Sequence, residues 1–185
     1  MNDGELAAAL REHAYLEGDF VLRSGRRSRY YLDKYRFETR PDLLEALGRR
    51  LADRVREVSP EAHRLAGPEL GAVALAAAAS LASRLPFVIV RKEAKGYGTG
   101  NRLEGEFETG ESVCLIEDVV TSGGAAVDAA KALREAGLEC RAAVCVVDRE
   151  EGGVDALARA GVRLHPLFRV KDVLSAEKTA AKPHG

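Results

Sequence analysis

The chain of 185 residues is 46% hydrophobic and 31% charged, a composition typical of one soluble globular domain and not of a disordered or fibrous protein. Its 28 basic and 29 acidic residues give a formal net charge of -1, which argues against a broad surface for nucleic acids or membranes. The three cysteines lack the close spacing of a zinc or dithiol site, and the N-terminus lacks the apolar run of a signal peptide, so we expect buried thiols and a cytoplasmic location.

The N-terminal part of the chain predicts a helix followed by a hairpin. Apolar residues recur at helical spacing from Glu5 to about Leu16, and the pattern ends near Gly18. Residues 20–33 then alternate like two short strands around Gly25. We therefore expect a small hairpin subdomain before the main part of the fold.

Helices and strands alternate in the remainder of the chain. Pro41 suits a helix start, and four leucines and Val55 follow it at helical spacing, which predicts a helix over residues 41–58. Further strands are predicted at 63–67, 86–90, 112–118 and 140–148, and further helices at about 71–83 and 124–136. Strands separated by helices indicate an α/β fold with a mostly parallel central sheet flanked by helices. Ligands of such sheets bind at the carboxyl ends of the strands.

Two segments do not follow this alternation. Residues 91–111 contain five glycines and many charges, and a loop of that length inside one domain is usually functional or disordered. Residues 178–185 have the composition of a flexible tail. We expect a single domain over residues 1–177, with a mobile loop at 91–111.

The stretch VCLIEDVVTSGGAA at residues 113–126 carries the strongest functional signal. It predicts a buried strand with Glu117 and Asp118 at its carboxyl end, then a turn with Thr121, Ser122 and two glycines that leads into a helix. Free amides and the positive dipole at a helix N-terminus form a phosphate site, which the hydroxyls extend. The carboxylates would repel a phosphate but accept hydrogen bonds from vicinal sugar hydroxyls. The stretch therefore predicts a site for a ribose 5-phosphate.

This stretch resembles the phosphoribosyl pyrophosphate signature of the type I phosphoribosyltransferases, and three others resemble the orotate phosphoribosyltransferase family. GDFVLRSGRRSRYYLDKY (18–35) is similar to the N-terminal segment that folds over the base in that family. RKEAKGYG (91–98) is similar to the start of its mobile catalytic loop, and VVDREEGG (146–153) to the strand end whose arginine approaches orotate. The resemblance spans about residues 5 to 175 and implies a hood subdomain at about 1–40.

The implied reaction transfers the 5-phosphoribosyl group from phosphoribosyl pyrophosphate to orotate. Its products are orotidine 5′-monophosphate and pyrophosphate, in the de novo synthesis of pyrimidine nucleotides. The transition state has a cationic, oxocarbenium-like sugar, while negative charge builds on the leaving group. The resemblance implies Mg²⁺, held mainly through substrate and water without a direct protein ligand that we can assign. It also implies a homodimer with shared active sites, since the loop of each subunit reaches into its neighbour's site.

The resemblance assigns roles to individual residues. Those implied for catalysis are Lys95, Glu117 and Asp118. Those implied for phosphoribosyl pyrophosphate are Arg91, Lys92, Lys95, Tyr97, Glu117, Asp118, Val119, Val120, Thr121, Ser122, Gly123, Gly124 and Ala125. Those implied for orotate are Arg23, Tyr31, Leu32, Thr121 and Arg149, of which Arg149 can pair with a carboxylate in a bidentate manner.

Three positions depart from the better-known bacterial form of the family. Leu70 stands in the short pyrophosphate loop GPELGA (67–72) where that form has lysine. Tyr97 stands where the mobile loop often has histidine, and Arg23 replaces a lysine beside the base. Leu70 removes a cation from the pyrophosphate loop, and Arg23 keeps the positive charge of the lysine but alters its geometry.

Other interpretations of these residues remain open at this point. The chain could be a purine phosphoribosyltransferase, or a regulator that binds a nucleotide without turning it over. Arg149 could belong to a surface salt-bridge cluster, and Asp148 could orient it or cap the turn. Tyr30 and Tyr31 could simply pack the hairpin onto the domain. Glu69 could cap the helix that follows it.

Overall fold

A six-stranded sheet lies at the centre of the computed structural model, which describes residues 1–21, 25, 27–93 and 102–176. The helices are α1 (Asp3–Ala14), α2 (Tyr35–Glu38), α3 (Pro41–Val58), α4 (Gly71–Ser83), α5 (Gly124–Glu135), α6 (Gly153–Arg159) and α7 (Val170–Ser175). The strands are β1 (Tyr15–Val21), β2 (Arg27–Leu32), β3 (Arg64–Pro68), β4 (Phe87–Val90), β5 (Leu103–Glu104), β6 (Ser112–Val120), β7 (Glu139–Asp148) and β8 (Arg163–Arg169).

The sheet has the order β5-β4-β3-β6-β7-β8. Its pairings are parallel except that of β4 with β5, which is antiparallel. The prediction of a mostly parallel sheet flanked by helices is therefore confirmed. Because β6 is central in this order, its carboxyl end is bordered by the ends of β3 and β7. That position is where ligands of open α/β sheets bind.

The sheet separates two apolar clusters. Ile116 packs in the cluster that contains Leu47 of α3 and Leu75 of α4. Its neighbour Leu115 packs in the other cluster, with Leu133 of α5. Successive side chains of a strand point to opposite faces, so α3 and α4 cover one face of β6 and α5 covers the other.

Strand β6 is longer than predicted. It continues to Val120, where it still pairs with Asp148 of β7. Glu117 and Asp118, predicted as the last two residues of the strand, are therefore followed by two more strand residues. The alternation along a strand directs their side chains to opposite faces of the sheet. The two carboxyl groups therefore leave the strand on different sides, and their common role at the ribose stays a prediction.

The N-terminal helix and hairpin form as predicted, with a shifted boundary. A capping box between Asn2 and Glu5 fixes the start of α1. The helix ends at Ala14, and Tyr15 already pairs with Leu32 in the antiparallel hairpin of β1 and β2. Tyr15 and Leu16, which the helical pattern had included in the helix, therefore belong to strand β1. Four of the hairpin's central residues, 22–24 and 26, lie outside the described residues.

Five short elements were not predicted, namely α2, β5, α6, β8 and α7. Strand β8 contains Pro166 between basic residues and lies at the sheet edge, where proline is tolerated. Strand β5 has two residues and lies within the interval expected to be a mobile loop. The two residues of β5 and the four of α2 carry too little periodicity to be recognised from sequence, and in β8 the proline interrupts the strand pattern.

The three cysteines are buried and form no disulfide. Burial raises the pKa of each thiol, so all three remain protonated and unreactive at neutral pH. In the described part of the chain, no helix has both the length and the apolar character needed to cross a membrane.

Candidate active site

A cavity of about 740 Å³ opens at the carboxyl end of β6. We call it the β6–α5 cavity, and its lining residues are Tyr31, Lys92, Glu117, Val119, Val120, Thr121, Ser122, Gly123, Gly124, Ala125, Ala126, Asp128, Arg149 and Glu151. These residues come from the hairpin, from the end of β4, from β6 with α5, and from the end of β7. The cavity therefore unites residues from all four sequence stretches that carry the family resemblance.

The turn between β6 and α5 forms one wall of the cavity. Gly123 precedes the helix with φ 80°, a conformation that favours glycine. A Cβ added there would lie 3.0 Å from Cα of Gly153, because the turn packs against the start of α6. No side chain among the described residues caps α5, so its first amides stay available to an anion. The exposed hydroxyls of Thr121 and Ser122 stand beside them.

Glu117 faces this cavity from the strand. Its side chain is buried, and its Oε1 has no hydrogen-bond partner among the described residues. Burial, followed by the negative charge of Asp118, raises the pKa of the Glu117 carboxyl to about 8. Glu117 is therefore largely neutral at pH 7 and can both donate to and accept from a hydroxyl group.

Asp118 is directed elsewhere and does not line the cavity. Its Oδ1 accepts a hydrogen bond from the amide of Val119 at 2.5 Å, and its Oδ2 accepts one from Nζ of Lys34, also at 2.5 Å. Burial lowers the pKa of Lys34, but the charge and the hydrogen bond of Asp118 outweigh this effect and leave the pKa raised. The two adjacent carboxyl groups of β6 thus differ in both direction and partner.

Arg149 lies where β7 ends and is only 7% exposed. Its Nε forms an ion pair with Oε1 of Glu151 at 3.1 Å, and its guanidinium carbon lies 5.0 Å from the centre of the Tyr30 ring. The surface salt-bridge interpretation is wrong, because this arginine is buried against an aromatic ring and lines the cavity. Asp148 caps the following turn by accepting from the amide of Glu150.

The hairpin contributes aromatic rings to the same region. Tyr31 is partly exposed, lines the cavity and packs against Phe20 with ring centres 5.7 Å apart. Tyr30 stacks on Tyr15 and also contacts Arg149. The side chain of Leu32 lies in the core, so only its backbone is available to a ligand. The tyrosine pair therefore packs the hairpin and also shapes the cavity.

The cationic residues after β4 occupy different positions. Lys92 lines the cavity, and its amide donates to Oε1 of Glu69 at 2.7 Å. Glu69 therefore holds the start of this segment and does not cap α4, which corrects its interpretation as a helix cap. Arg91 forms an ion pair with Glu104 at 3.6 Å and does not line the cavity.

Three residues with implied roles, Arg23, Lys95 and Tyr97, lie outside the described residues. Conversely, the sequence interpretation missed Lys34 and Glu38, which contact Asp118 from α2, and Tyr30 as a partner of Arg149. Lys34 and Asp118 are 84 positions apart. No local pattern signals such a pair, although the spacing of Lys34 and Glu38 fits one turn of a helix.

Comparison with known proteins identifies the family. No family model matches the sequence. The orotate phosphoribosyltransferase of Methanocella arvoryzae is 47% identical over 174 residues, which are 93% of this chain and 97% of the relative.

Two solved structures resemble the fold. The crystal structure of orotate phosphoribosyltransferase from Aeropyrum pernix has a TM-score of 0.81 at 34% identity and covers 91% of this chain and 96% of its own. The crystal structure of the Mycobacterium tuberculosis enzyme in complex with 5-phospho-α-D-ribosyl 1-diphosphate has a TM-score of 0.77 at 28% identity. It covers 92% of this chain and 98% of its own.

These similarities confirm the predicted fold and the predicted enzyme class, a pentosyltransferase of pyrimidine biosynthesis. The identity extends over nearly the full length of both sequences. The chain belongs to the orotate phosphoribosyltransferase family.

Proposed function

We propose that the β6–α5 cavity is the place where this chain transfers the 5-phosphoribosyl group from phosphoribosyl pyrophosphate to orotate. One observation carries the assignment: uncapped helix amides, the buried Glu117 and the buried Arg149 border the same cavity. Together they offer a phosphate site, a hydroxyl partner and a carboxylate partner. Phosphoribosyl pyrophosphate and orotate between them carry the groups that match these three.

The turn from Val119 to Ala125 is proposed to bind the 5-phosphate. The first amides of α5 point at the anion, and the helix dipole adds positive potential without a charged side chain. Thr121 and Ser122 add hydroxyl donors. Glycine at position 123 is required by the positive φ and by the close approach to α6.

Glu117 is proposed to contact the ribose hydroxyls. Its unpartnered Oε1 gains a hydrogen bond when a hydroxyl approaches, which offsets the cost of its burial. Asp118 is proposed to act on the same sugar from the other side of the strand, with its carboxylate held by Lys34. A residue on each face of β6 would then flank the cationic sugar of the transition state.

Arg149 is proposed to bind the carboxylate of orotate. A guanidinium that is buried against Tyr30 and oriented by Glu151 is held in place before the ligand arrives. Thr121 and the backbone at Tyr31 and Leu32 would complete the base site, as would Arg23. A neutral purine carries no carboxylate for this guanidinium to bind, which argues against the purine alternative.

The leaving pyrophosphate requires cations. Lys92 at the cavity rim is proposed to meet it, together with Arg91 and with Lys95 and Tyr97 of the loop. We also propose that a magnesium ion is held at this rim mainly through substrate and water, as the family resemblance implies. Bound Mg²⁺ would supply charge neutralisation of the pyrophosphate.

A homodimer with shared sites is proposed as the active assembly. Helix α4 has no charged residue between Gly71 and Ser83, although its outer face is solvent-accessible in the single chain. Leu81 is 75% exposed there. A helix that is apolar all round usually has a partner on each face. The cytoplasmic location and the absence of nucleic-acid or membrane partners stay predictions.

A panel of bases tests the proposed reaction. Purified protein, Mg²⁺ and phosphoribosyl pyrophosphate are mixed with orotate, and orotate absorbance and pyrophosphate release are followed together. Adenine, hypoxanthine, guanine, xanthine and uracil are tested in parallel. We expect turnover of orotate with stoichiometric pyrophosphate. Turnover of a purine in place of orotate would overturn the base assignment, and no turnover of any base would favour a binding role.

A further inference from the structure

Two ionisable side chains, Lys34 and Glu38, lie behind the β6–α5 cavity, and the proposed function gives them no role beyond their contact with Asp118 of β6. Lys34 is the residue before the single turn of α2, and Glu38 is the last residue of that turn. The three side chains form one cluster. Asp118 is 3% exposed and Glu38 is 4% exposed. Carboxyl groups buried to this degree need a partner or a proton.

The ion pair of Lys34 with Asp118 fixes both partners. Nζ of Lys34 lies 2.5 Å from Oδ2 of Asp118, while the amide of Val119 occupies Oδ1. A carboxylate with a strong donor at each oxygen has one preferred orientation. Lys34 is the only described side chain with a hydrogen bond to this carboxylate that also carries a positive charge.

Helix α4 encloses the pair from a third side. A Cβ added to Gly71 would lie 1.9 Å from Oδ2 of Asp118 and 2.6 Å from Nζ of Lys34. The ion pair therefore rests directly on the backbone of the first residue of α4, in a space that exists only because that residue is glycine. Movement of either charged group in that direction is blocked.

Glu38 completes the cluster as a neutral group. Burial, and then the charge of Asp118, raise the pKa of the Glu38 carboxyl to about 8. With Glu38 protonated, the single ammonium of Lys34 is balanced by the single carboxylate of Asp118. Lys34 is therefore not shared between two competing anions.

We propose that Lys34 is a positioning residue for phosphoribosyl transfer, which holds the Asp118 carboxylate in one orientation between β6 and Gly71. The proposal rests on the proposed function, because it takes Asp118 to act on the sugar. It adds a connection between the two halves of the site. Lys34 follows Tyr31 of the cavity wall by three residues, so the base-side hairpin and the sugar-side strand are joined through this ion pair.

A double-mutant cycle tests the proposal. Lys34→Met removes the charge and keeps the length of the side chain. We expect kcat/KM for phosphoribosyl pyrophosphate to fall about 100-fold, since misplacement of a catalytic group by an ångström has effects of that order. In an Asp118→Asn background, Lys34→Met is expected to lower kcat/KM by less than about twofold, because the carboxylate that Lys34 holds has already been removed. Lys34→Arg should restore part of the lost activity.

The matched control is Lys131→Met, which makes the same change at an exposed lysine in an ion pair on α5. It should leave the kinetics unaltered. If Lys34→Met fails to fold, Gly71→Ala gives a second way to displace the pair, and its effect should also vanish in the Asp118→Asn background. Circular dichroism and melting temperature identify variants that fold.

The outcomes distinguish failure of the positioning role of Lys34 from failure of the proposed reaction. Equal losses from Lys34→Met in both backgrounds, or no loss in either, would overturn the positioning role while the reaction itself stands. Wild-type kinetics in Asp118→Asn would overturn the assignment of Asp118 and the proposal with it. Absence of orotate turnover in the wild-type protein would instead refute the proposed function.

Discussion

The neutral state of Glu38 in the fold leads to a quantitative prediction of how folding stability depends on pH. The pKa of its carboxyl is raised from 4.5 to about 8 in the fold, first by burial and then by the charge of Asp118; Asp33 adds to the shift and Lys34 opposes it. In the unfolded chain Glu38 loses its proton near its ordinary pKa. Between these two values the folded state holds a proton that the unfolded state has released, so folding stability falls as pH rises.

The Glu38→Gln variant removes this penalty because its side chain is neutral at every pH. A shift of one pKa unit corresponds to about 1.4 kcal/mol, which gives an upper limit of about 5 kcal/mol for the difference above pH 8. Relaxation of Lys34 and of solvent around the ionised Glu38 carboxylate makes the actual difference smaller. We expect Glu38→Gln to be more stable than the wild type by about 2 kcal/mol above pH 8. For a chain of this size that corresponds to an increase in melting temperature of about 4 to 8 °C.

The assay is thermal unfolding of both proteins from about pH 5 to about pH 9. The melting temperature of Glu38→Gln minus that of the wild type should be small at the acid end, should grow towards pH 8 and should then remain level. Glu45→Gln, at an exposed position of α3, is the matched control for the same chemical change. A difference that stays constant or shrinks as pH rises would refute the inference that Glu38 is buried as a neutral group.

Three further predictions concern the dimer, the turn and the thiols. Leu81→Glu should convert the proposed dimer to a monomer in light scattering and reduce activity, whereas Lys131→Glu on the opposite side of the sheet should not. A monomeric wild type would contradict the proposed dimer. Gly123→Ala should destabilise the fold by about 2 kcal/mol in urea unfolding, because positive φ alone costs about 1 to 2 kcal/mol for a residue with a Cβ; unchanged stability would exclude the strain argument. The thiols of the native protein should not react with a disulfide reagent until it unfolds, because burial raises their pKa, and rapid modification in the native state would be inconsistent with that.

The sequence was most informative where local pattern and local structure coincide. The helices α3 and α4 begin and end where proline, leucine spacing and alanine content predict. The glycine turn before α5 was recognised because phosphate-binding turns have a composition of their own. These features depend on residues close together in the chain, so a single sequence contains the necessary information.

The details of the site depend on distant residues and were less accessible. Pattern alone placed Glu117 and Asp118 together, whereas continued pairing of β6 with β7 to Val120 separates them onto opposite faces. The partner of Asp118 is Lys34, the residue before α2, and that helix of four residues has no detectable periodicity. The burial of Arg149 depends on Tyr30 of the hairpin, which no spacing rule connects with the end of β7.

Discrimination between orotate and uracil shows whether the cavity binds the carboxylate of the base, since uracil is the same base without that group. We would measure kcat/KM for both bases with the wild type, with Arg149→Ala and with Arg169→Ala, an exposed arginine that serves as the matched control. If Arg149 in the β6–α5 cavity binds the orotate carboxylate, Arg149→Ala should lower the preference for orotate about 100-fold, as expected for loss of a buried charge-paired contact, and Arg169→Ala should preserve it. An unchanged preference in Arg149→Ala would contradict the account, because the cavity would then not contain the base site.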